Sequence, residues 1–264
     1  MLCYAFLIIC AMIYIINACF ILQFRNRVSD VLPDDFSKRD DSLIRWIRAR
    51  EMDLDKAEEM IRNSMQWRKD NHIDNILKSG LDPELCEKFP YYLDAHDKEG
   101  RPLLTMPFGS WDVRGYIEAN GPEKFVMYTN QLLENLVAAI KRCTLAKEKN
   151  ILNNADDHQP CVQFVIVSDM SGYSFRQLAN MKAVQSILQM VSTFEAHYPE
   201  TMGQCITINA PAVFSVLFGM MKSLMSGRTV EKIKIFSSDK NQWLPVVLDL
   251  IDASEIREQY GGTK

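Results

Sequence analysis

The pattern of apolar and polar positions predicts a strand–helix–strand unit towards the C-terminal end of the chain. A run rich in β-branched residues, Cys205–Asn209, is typical of a strand and ends at the turn residues Ala210 and Pro211. The apolar segment Ala212–Met225 comes next, and a second strand is predicted over Lys232–Ser237. Two strands joined by a crossover helix form a parallel βαβ unit.

The predicted crossover helix is apolar around most of its circumference. Its small or polar positions form only a narrow stripe, at Ser215, Gly219, Lys222, Ser223 and Ser226. A helix that covers one face of a sheet needs one apolar stripe and has a solvated back. Two explanations therefore stay open. Either neighbouring elements bury the helix on both sides, or its second face borders a lipid-filled cavity or a membrane, which would suit its adaptable methionine side chains.

The first part of the chain, residues 24–76, is predicted to form a small helical region. Asp40, Asp41 and Ser42 are a cluster of N-capping residues, and Asp53 is expected to cap the next helix. Apolar residues recur at helical spacing after each cap, with charged residues on the opposite face.

From residue 83 onward, strands and helices alternate. Val162–Val167 is an apolar run apart from Gln163, as expected of a strand that is buried on both faces of a parallel sheet. The other predicted elements are the strands Tyr91–Ala95 and Leu103–Pro107 and the helices Pro122–Glu148, Arg176–Ala196 and Trp243–Ile251. Such alternation predicts an α/β domain.

Residues 1–22 contain no charged side chain, and Asn17 is their only strongly polar one. The stretch is long enough for a membrane-spanning helix, which needs about 20 residues. A cleaved signal peptide fits less well, because no Lys or Arg precedes the apolar run. Arg25 and Arg27 follow it, so the positive-inside rule would leave the remaining chain on the cytoplasmic side. We expect residues 1–23 to be either a membrane anchor or a gene-model artefact.

Composition and motifs exclude several function classes. The net charge of −4 provides no basic field for nucleic acid, and seven cysteines without a CxxC pair favour reduced thiols in the cytosol. The sequence has no glycine-rich phosphate loop, no GxSxG or HExxH motif and no metal-ligand spacing among its four histidines. Asp169 follows a buried strand without a second carboxylate or a base beside it, so we expect a structural role. The chain is therefore predicted to be a binding module without a cofactor, and not an enzyme.

Seven separated stretches together resemble the CRAL-TRIO lipid-binding family. They are Asp41–Asp53, Trp67–Lys69, Asp97–Pro102, Asp169–Gly172, Tyr198–Pro211, Val230–Ser237 and Gln259–Gly262. Each motif is weak alone, and their order and spacing carry the resemblance. The subgroup that they resemble is the animal phosphatidylinositol-transfer-like proteins of the tocopherol-associated and supernatant-protein-factor type. Those proteins usually continue into a Golgi-dynamics domain beyond the length of this chain.

The resemblance implies an α/β CRAL-TRIO fold with a mixed, largely parallel sheet. Residues 24–82 would form the N-terminal helical region and residues 83–264 the lipid-binding lobe. A lipid cavity would lie over the sheet beneath a mobile gate helix, and the segment Ala212–Met225 falls where that gate belongs. The implied gate residues are Phe214, Leu217, Phe218, Met221, Leu224 and Met225.

The resemblance also implies a headgroup site. Some family members bind the headgroup of a phosphoinositide. The positions of this chain that match their headgroup-binding residues are Arg50, Glu200, Thr229 and Lys232. Arg50 and Lys232 would neutralise phosphate, Glu200 would accept from inositol hydroxyls or orient Lys232, and Thr229 would donate its hydroxyl. The alternative is an ordinary ion pair between Arg50 and Glu200 and a solvated Lys232.

The pocket wall departs from the family pattern at Phe164 and Ile166, where members that also carry phosphatidylcholine have hydroxyl residues. A buried phosphate would lose hydrogen bonds there, so a tocopherol-like or isoprenoid ligand is favoured. The wall is predicted to include Met106, Phe108, Phe125, Tyr128, Leu132, Phe164, Ile166, Met190 and Phe194, although each could equally be core.

These expectations describe a monomeric cytoplasmic protein, peripheral to membranes, that binds a hydrophobic lipid and transfers or presents it there through opening of the gate helix. Phosphoinositide would be one ligand. The alternative is a lipid-sensing regulatory or scaffold module that binds cargo at membranes without moving it.

Overall fold

The computed structural model describes residues 18–151 and 160–264, and the chain divides into two compact units, Met1–Asn71 and His72–Lys264. The apolar segment expected over residues 1–23 lies outside the described residues up to residue 17, and residues 18–28 are helical. Within the described ranges, we find no helix with both the length and the apolar character needed to cross a membrane.

The described part of the first unit is a small helical core. Helices α1 (Asp40–Ala49) and α2 (Leu54–Asp70) pack with helical residues 18–28. The central buried side chains are Phe24, Val28, Leu43, Trp46, Ile47, Ala57 and Ile61. The two helices predicted from the periodicity of this stretch are therefore present.

The predicted cap of α2 is confirmed, and the predicted cap of α1 is not. The Asp53 carboxylate accepts hydrogen bonds from the amides of Asp55 and Lys56, so it caps α2 as expected. The predicted cap of α1 is wrong, because Arg39 occupies the N-cap position without a side-chain cap. Asp41 pairs with the Arg39 guanidinium at 3.0 Å, and the Ser42 hydroxyl donates to the Phe36 carbonyl at 2.8 Å.

The second unit contains a five-stranded sheet. Its strands are β1 (Tyr92–His96), β2 (Pro102–Met106), β3 (Phe164–Asp169), β4 (Met202–Ile208) and β5 (Ile233–Ile235). Its helices are α3 (Pro83–Lys88), α4 (Val113–Asn120), α5 (Glu123–Ile151), α6 (Phe175–Leu178), α7 (Met181–His197), α8 (Phe214–Lys222), α9 (Gly227–Glu231) and α10 (Lys240–Leu250). Short 3₁₀ turns lie at Ile73–Asn75, Phe108–Ser110, Ala253–Glu255 and Glu258–Tyr260.

The strand order is β1-β2-β3-β4-β5, with β1 antiparallel to β2 and the other three pairs parallel. This confirms the expected α/β fold with a mixed, largely parallel sheet. The predicted βαβ unit is present, since β4 and β5 are parallel neighbours and α8 lies between them in the chain.

The two faces of the sheet have different neighbours because side chains alternate along each strand. One face packs on α10 in a continuous hydrophobic core. That core includes Leu103, Val165, Val167, Ile206, Ile208, Trp243, Val247 and Ile251. The opposite face carries Leu104, Met106, Phe164, Ile166, Ser168, Cys205 and Thr207 towards α5, α7 and α8.

Two predicted helices need correction. The expected helix Arg176–Ala196 is divided into α6 and α7, because the Asn180 side chain accepts a hydrogen bond from the Ala183 amide and begins a new helix. The crossover helix ends at Lys222, before the predicted end at Met225. The chain leaves the helix there and turns towards Ser226, whose hydroxyl accepts from the Thr229 amide and caps α9.

Asp169 has the structural role that its position after a buried strand predicts. Its Oδ1 atom accepts from the Ser171 amide at 2.9 Å, the Ser171 hydroxyl at 2.7 Å and the Asn209 side-chain amide at 2.9 Å. The carboxylate thereby joins the ends of β3 and β4, immediately before the chain enters α8.

Candidate functional site

An apolar cavity of about 130 Å³ lies between the sheet and helices α5, α7 and α8. Strands β2, β3 and β4 supply its floor, and the helices supply its walls. Of the predicted wall residues, Met106, Phe108, Leu132, Phe164, Ile166, Met190 and Phe194 line it. The lining among the described residues includes no charged side chain, and its polar members are Ser168, Cys205, Thr207 and Thr229.

Phe125 and Tyr128 do not line this cavity, which corrects their predicted placement. They belong to an aromatic cluster around Phe89 near the N-terminal end of α5. The rings of Phe89 and Phe125 meet edge to face with centroids 4.9 Å apart, and the Tyr128 hydroxyl donates to the Phe89 carbonyl at 2.7 Å. These contacts hold the start of α5 against the chain that leads into β1.

The gate residues predicted from the sequence take up three different environments. Phe214, Phe218, Met221 and Met225 line the cavity. Leu217 is fully buried without lining it, and Leu224, beyond the end of α8, is exposed.

The outer side of α8 and of the turn after it carries apolar side chains among the small and polar ones at Ser215, Gly219, Lys222 and Ser223. Val216, Met220 and Leu224 are exposed to 43%, 39% and 40%. Neighbouring elements therefore do not bury the helix segment on both sides. The explanation by burial on both sides is wrong, and contact with lipid or a membrane stays a prediction. One side of the segment borders a cavity, and the other is in solvent.

A charged cluster lies next to the Thr229 end of the cavity. Lys232 Nζ is 2.8 Å from Glu200 Oε2, and Arg228 Nη1 is 4.0 Å from Glu200 Oε1. The Lys232 amide donates to the Thr229 carbonyl, so these two residues share one helical turn. The structure thus brings Glu200, Thr229 and Lys232 together. Sequence reasoning missed Arg228, although its place beside Thr229 was visible.

Arg50 belongs to the first unit. It is the residue at which α1 ends, and its guanidinium donates to the Ala49 carbonyl at 3.1 Å. Its assignment to a headgroup stays a prediction.

Cys205 lines the cavity as a neutral thiol. Burial raises its pKa to about 11, although the hydrogen bond with Thr207 acts in the opposite direction. At pH 7 the thiol is protonated and offers a weak donor. The cavity therefore presents no charge and few polar atoms to a ligand.

The sequence profile of the CRAL/TRIO domain matches residues 86–262, and the chain belongs to this family. Membership confirms the family expected from the sequence. It is consistent with the prediction of a binding protein and not an enzyme. The crystal structure of Sfh5 superposes with a TM-score of 0.66 at 14% identity, covering 89% of this chain and 83% of that chain, which shows a shared fold.

Similar curated proteins come from insects, nematodes and plants. "Protein real-time" of Aedes aegypti is 31% identical over 217 residues, which cover 82% of this chain and 32% of the relative. "CRAL-TRIO domain-containing protein T23G5.2" of Caenorhabditis elegans is 32% identical, covering 74% of this chain and 26% of that protein. "Phosphatidylinositol/phosphatidylcholine transfer protein SFH4" of Arabidopsis thaliana is 29% identical, covering 84% and 35%. The chain spans about a third of the length of these relatives.

Proposed function

We propose that the chain binds a hydrophobic lipid in the cavity beneath α8 and transfers or presents it at membranes. The observation that carries this proposal is an uncharged, largely apolar cavity covered by a helix that also exposes Val216 and Met220. Exposed apolar area costs roughly 25 cal/mol per Å², unless a partner such as a bilayer covers it. Exposed apolar side chains on a cavity cover are therefore suited to a helix that meets lipid on both sides.

Movement of α8 would give a lipid access to the cavity. Pockets for drug-sized ligands measure roughly 300–1,000 Å³, so this cavity of about 130 Å³ must widen to take a whole lipid. The α8 segment contributes Phe218, Met221 and Met225 to the wall, and methionine adapts readily to a new shape. Asn209, with a φ of 54°, and the cap residue Ser226 lie on either side of the helix. We expect the helix to shift between them as one body.

Phosphoinositide is one ligand that the charged cluster would suit. Arg228 and Lys232 place two cations beside one carboxylate, close to Thr229 on the cavity wall. The phosphatidylinositol transfer named for the Arabidopsis relative supports this choice. Phosphatidylcholine fits less well, because Phe164 and Ile166 replace hydroxyl residues that would meet its phosphate and the described lining offers no counter-charge.

Lipid capture from a cell extract tests the proposal. The full chain is incubated with extract, purified again and analysed by lipid mass spectrometry. We expect about one lipid per protein, and a protein that emerges empty would contradict the proposal. A transfer assay between donor and acceptor vesicles then separates a carrier from a sensor, because a sensor binds its cargo without moving it.

Two adjacent methionines provide matched variants for this experiment. Met221 lines the cavity, whereas Met220 is exposed on the outer face of α8. Met221→Gln buries an amide in the apolar wall and is expected to lower the amount of captured lipid several-fold. Met220→Gln should leave the amount of lipid captured at equilibrium unchanged, because weaker contact with membranes slows lipid exchange without altering the cavity. Equal loss in both variants would show that the effect does not come from the cavity.

A further inference from the structure

Two buried hydroxyl groups lie side by side on the floor of the cavity. Ser168 of β3 and Thr207 of β4 are paired residues in the parallel register of these strands. Both line the cavity, and they are only 6% and 4% exposed. Neighbouring strands are about 4.8 Å apart, so one ligand atom can approach both hydroxyls.

Neither hydroxyl has a strong hydrogen-bond partner among the residues that the structure describes. The Ser168 hydroxyl donates to Met170 Sδ at 3.9 Å, and the Thr207 hydroxyl faces Cys205 Sγ at 3.8 Å. Thioether and thiol sulfurs are weak hydrogen-bonding atoms. Buried polar side chains in folded proteins nearly always have better partners, so this pair requires an explanation.

We infer that Ser168 and Thr207 form a hydrogen-bonding subsite for the single hydroxyl or carbonyl group of an otherwise apolar lipid. The inference rests on the proposed function and narrows its ligand class. A pure hydrocarbon would leave both hydroxyls without a strong partner, and a charged headgroup would lose its hydration without gaining a counter-charge from the lining. An isoprenoid or long-chain alcohol, or a phenol of the tocopherol kind, meets both conditions, since its hydroxyl both donates and accepts.

The subsite is separate from the proposed headgroup cluster. Thr229 and Lys232 lie on and after α9, whereas Ser168 and Thr207 lie on the central strands. A ligand held at the strands would be buried with its polar group inside the cavity. A phosphoinositide would keep its headgroup at the charged cluster, so the two sites select different lipids.

The experiment compares α-tocopherol with its 6-deoxy analogue, in which hydrogen replaces the phenolic hydroxyl. Dissociation constants are measured by competition with one fluorescent lipid probe, for the wild-type chain and for Ser168→Ala and Thr207→Val. Thr105→Val is the matched control, because Thr105 is a buried hydroxyl of the same sheet that does not line the cavity. Thermal melting checks that all variants are folded.

The wild-type chain is expected to bind α-tocopherol about tenfold more tightly than the deoxy analogue. Ser168→Ala and Thr207→Val should each reduce that preference about three- to tenfold, as expected for one lost hydrogen bond, and Thr105→Val should leave it unchanged. The affinity for the deoxy analogue should stay within about twofold in every variant.

Equal affinity of the wild type for the two probes would overturn the inference while leaving lipid binding intact. The inference is also overturned if both variants keep the full preference for α-tocopherol, which is expected if the hydroxyls bind only water. It is overturned likewise if both variants lose affinity for the two probes equally. Failure of the wild type to bind either probe would also overturn it. It would contradict the proposed function as well only if the protein also recovers no lipid from cell extract.

Discussion

Glu200 combines an uncommon backbone conformation with a charged environment. Its φ of 58° lies in the left-handed region, which costs a non-glycine residue of order 1–3 kcal/mol. Gln163 donates to its carbonyl at 3.2 Å, and its carboxylate faces Lys232 and Arg228. Such strain persists where the surroundings fix it, and here it aims the carboxylate at the Lys232 ammonium.

Reversal of the charge at Lys232 tests the headgroup proposal. Lys232→Glu removes the cation beside Thr229 and places a second carboxylate next to Glu200. We expect transfer of phosphatidylinositol between vesicles to fall at least tenfold, because the lipid phosphate loses its counter-charge.

The control for this variant is Lys234→Glu. Lys234 is exposed on β5 and undergoes the same change of net charge. Its transfer rate should match that of the wild type, and both variants should keep the wild-type melting temperature within a few degrees. Undiminished transfer by Lys232→Glu would remove Lys232 from the headgroup site.

The residues of the cavity show what sequence reasoning can and cannot supply. Phe164 and Ile166 could be placed on one face, because side chains alternate along a strand. Phe125 and Tyr128 could not be excluded, since helical spacing identifies a face of α5 but not which part of this 29-residue helix reaches the cavity. The pairing of Ser168 with Thr207 depends on the register of β3 against β4, which no single segment of sequence contains.

At the scale of the elements, close backbone packing fixes the end of β3. A Cβ atom at Gly109, in the 3₁₀ turn after β2, would lie 2.3 Å from the backbone of Met170 and Ser171. The turn therefore rests directly on the chain that leaves β3. Together with the hydrogen bonds of Asp169, this contact makes a rigid base beside the start of α8.

Substitution of two glycines should have opposite effects on stability. Gly109→Ala forces backbone atoms apart and is expected to destabilise the fold by about 1–3 kcal/mol, which lowers the melting temperature by several degrees. Gly219→Ala, inside α8, meets no atom within 4 Å and should stabilise the helix by up to about 1 kcal/mol. Thermal melts of the two variants provide the measurement, and a Gly109→Ala variant as stable as the wild type would disprove the close packing.

The elements themselves could be predicted better than their ends. The strands and the crossover helix follow from periodicity, and the parallel pairing of β4 and β5 follows from their connection. The end of α8 at Lys222 was not predicted, because Leu224 and Met225 continue the apolar pattern into a turn. The break between α6 and α7 depends on a single capping bond from Asn180.

At the scale of the second unit, the segment next to the start of α8 carries further exposed apolar side chains. The Tyr173 and Phe214 rings are 6.3 Å apart, so the segment that leads into α6 lies beside the start of α8. Phe175 and Met181 follow in this segment and are exposed to 70% and 67%. Exposed apolar residues that lie together mark interaction surfaces. If the proposed function is right, these side chains and those of α8 contact a bilayer together.

Binding to vesicles should depend on this surface. Met220→Gln combined with Phe175→Ser removes two exposed apolar side chains and is expected to weaken sedimentation with lipid vesicles about tenfold. Met127→Gln is the control, because Met127 is exposed to a similar degree on α5. If Met127→Gln weakens binding as much as the combined variant does, general hydrophobicity and not this surface is responsible.

The two faces of the sheet have different consequences for substitution, because one face is solid core and the other borders the cavity. The α10 side is a continuous core, so substitutions there should shorten the lifetime of the folded protein whatever it carries. Under the proposed function, the α8 side would rearrange around successive lipids while the strands beneath keep their pairing. Substitutions on the cavity side could therefore change ligand specificity during evolution without altering the stabilising core on the α10 side.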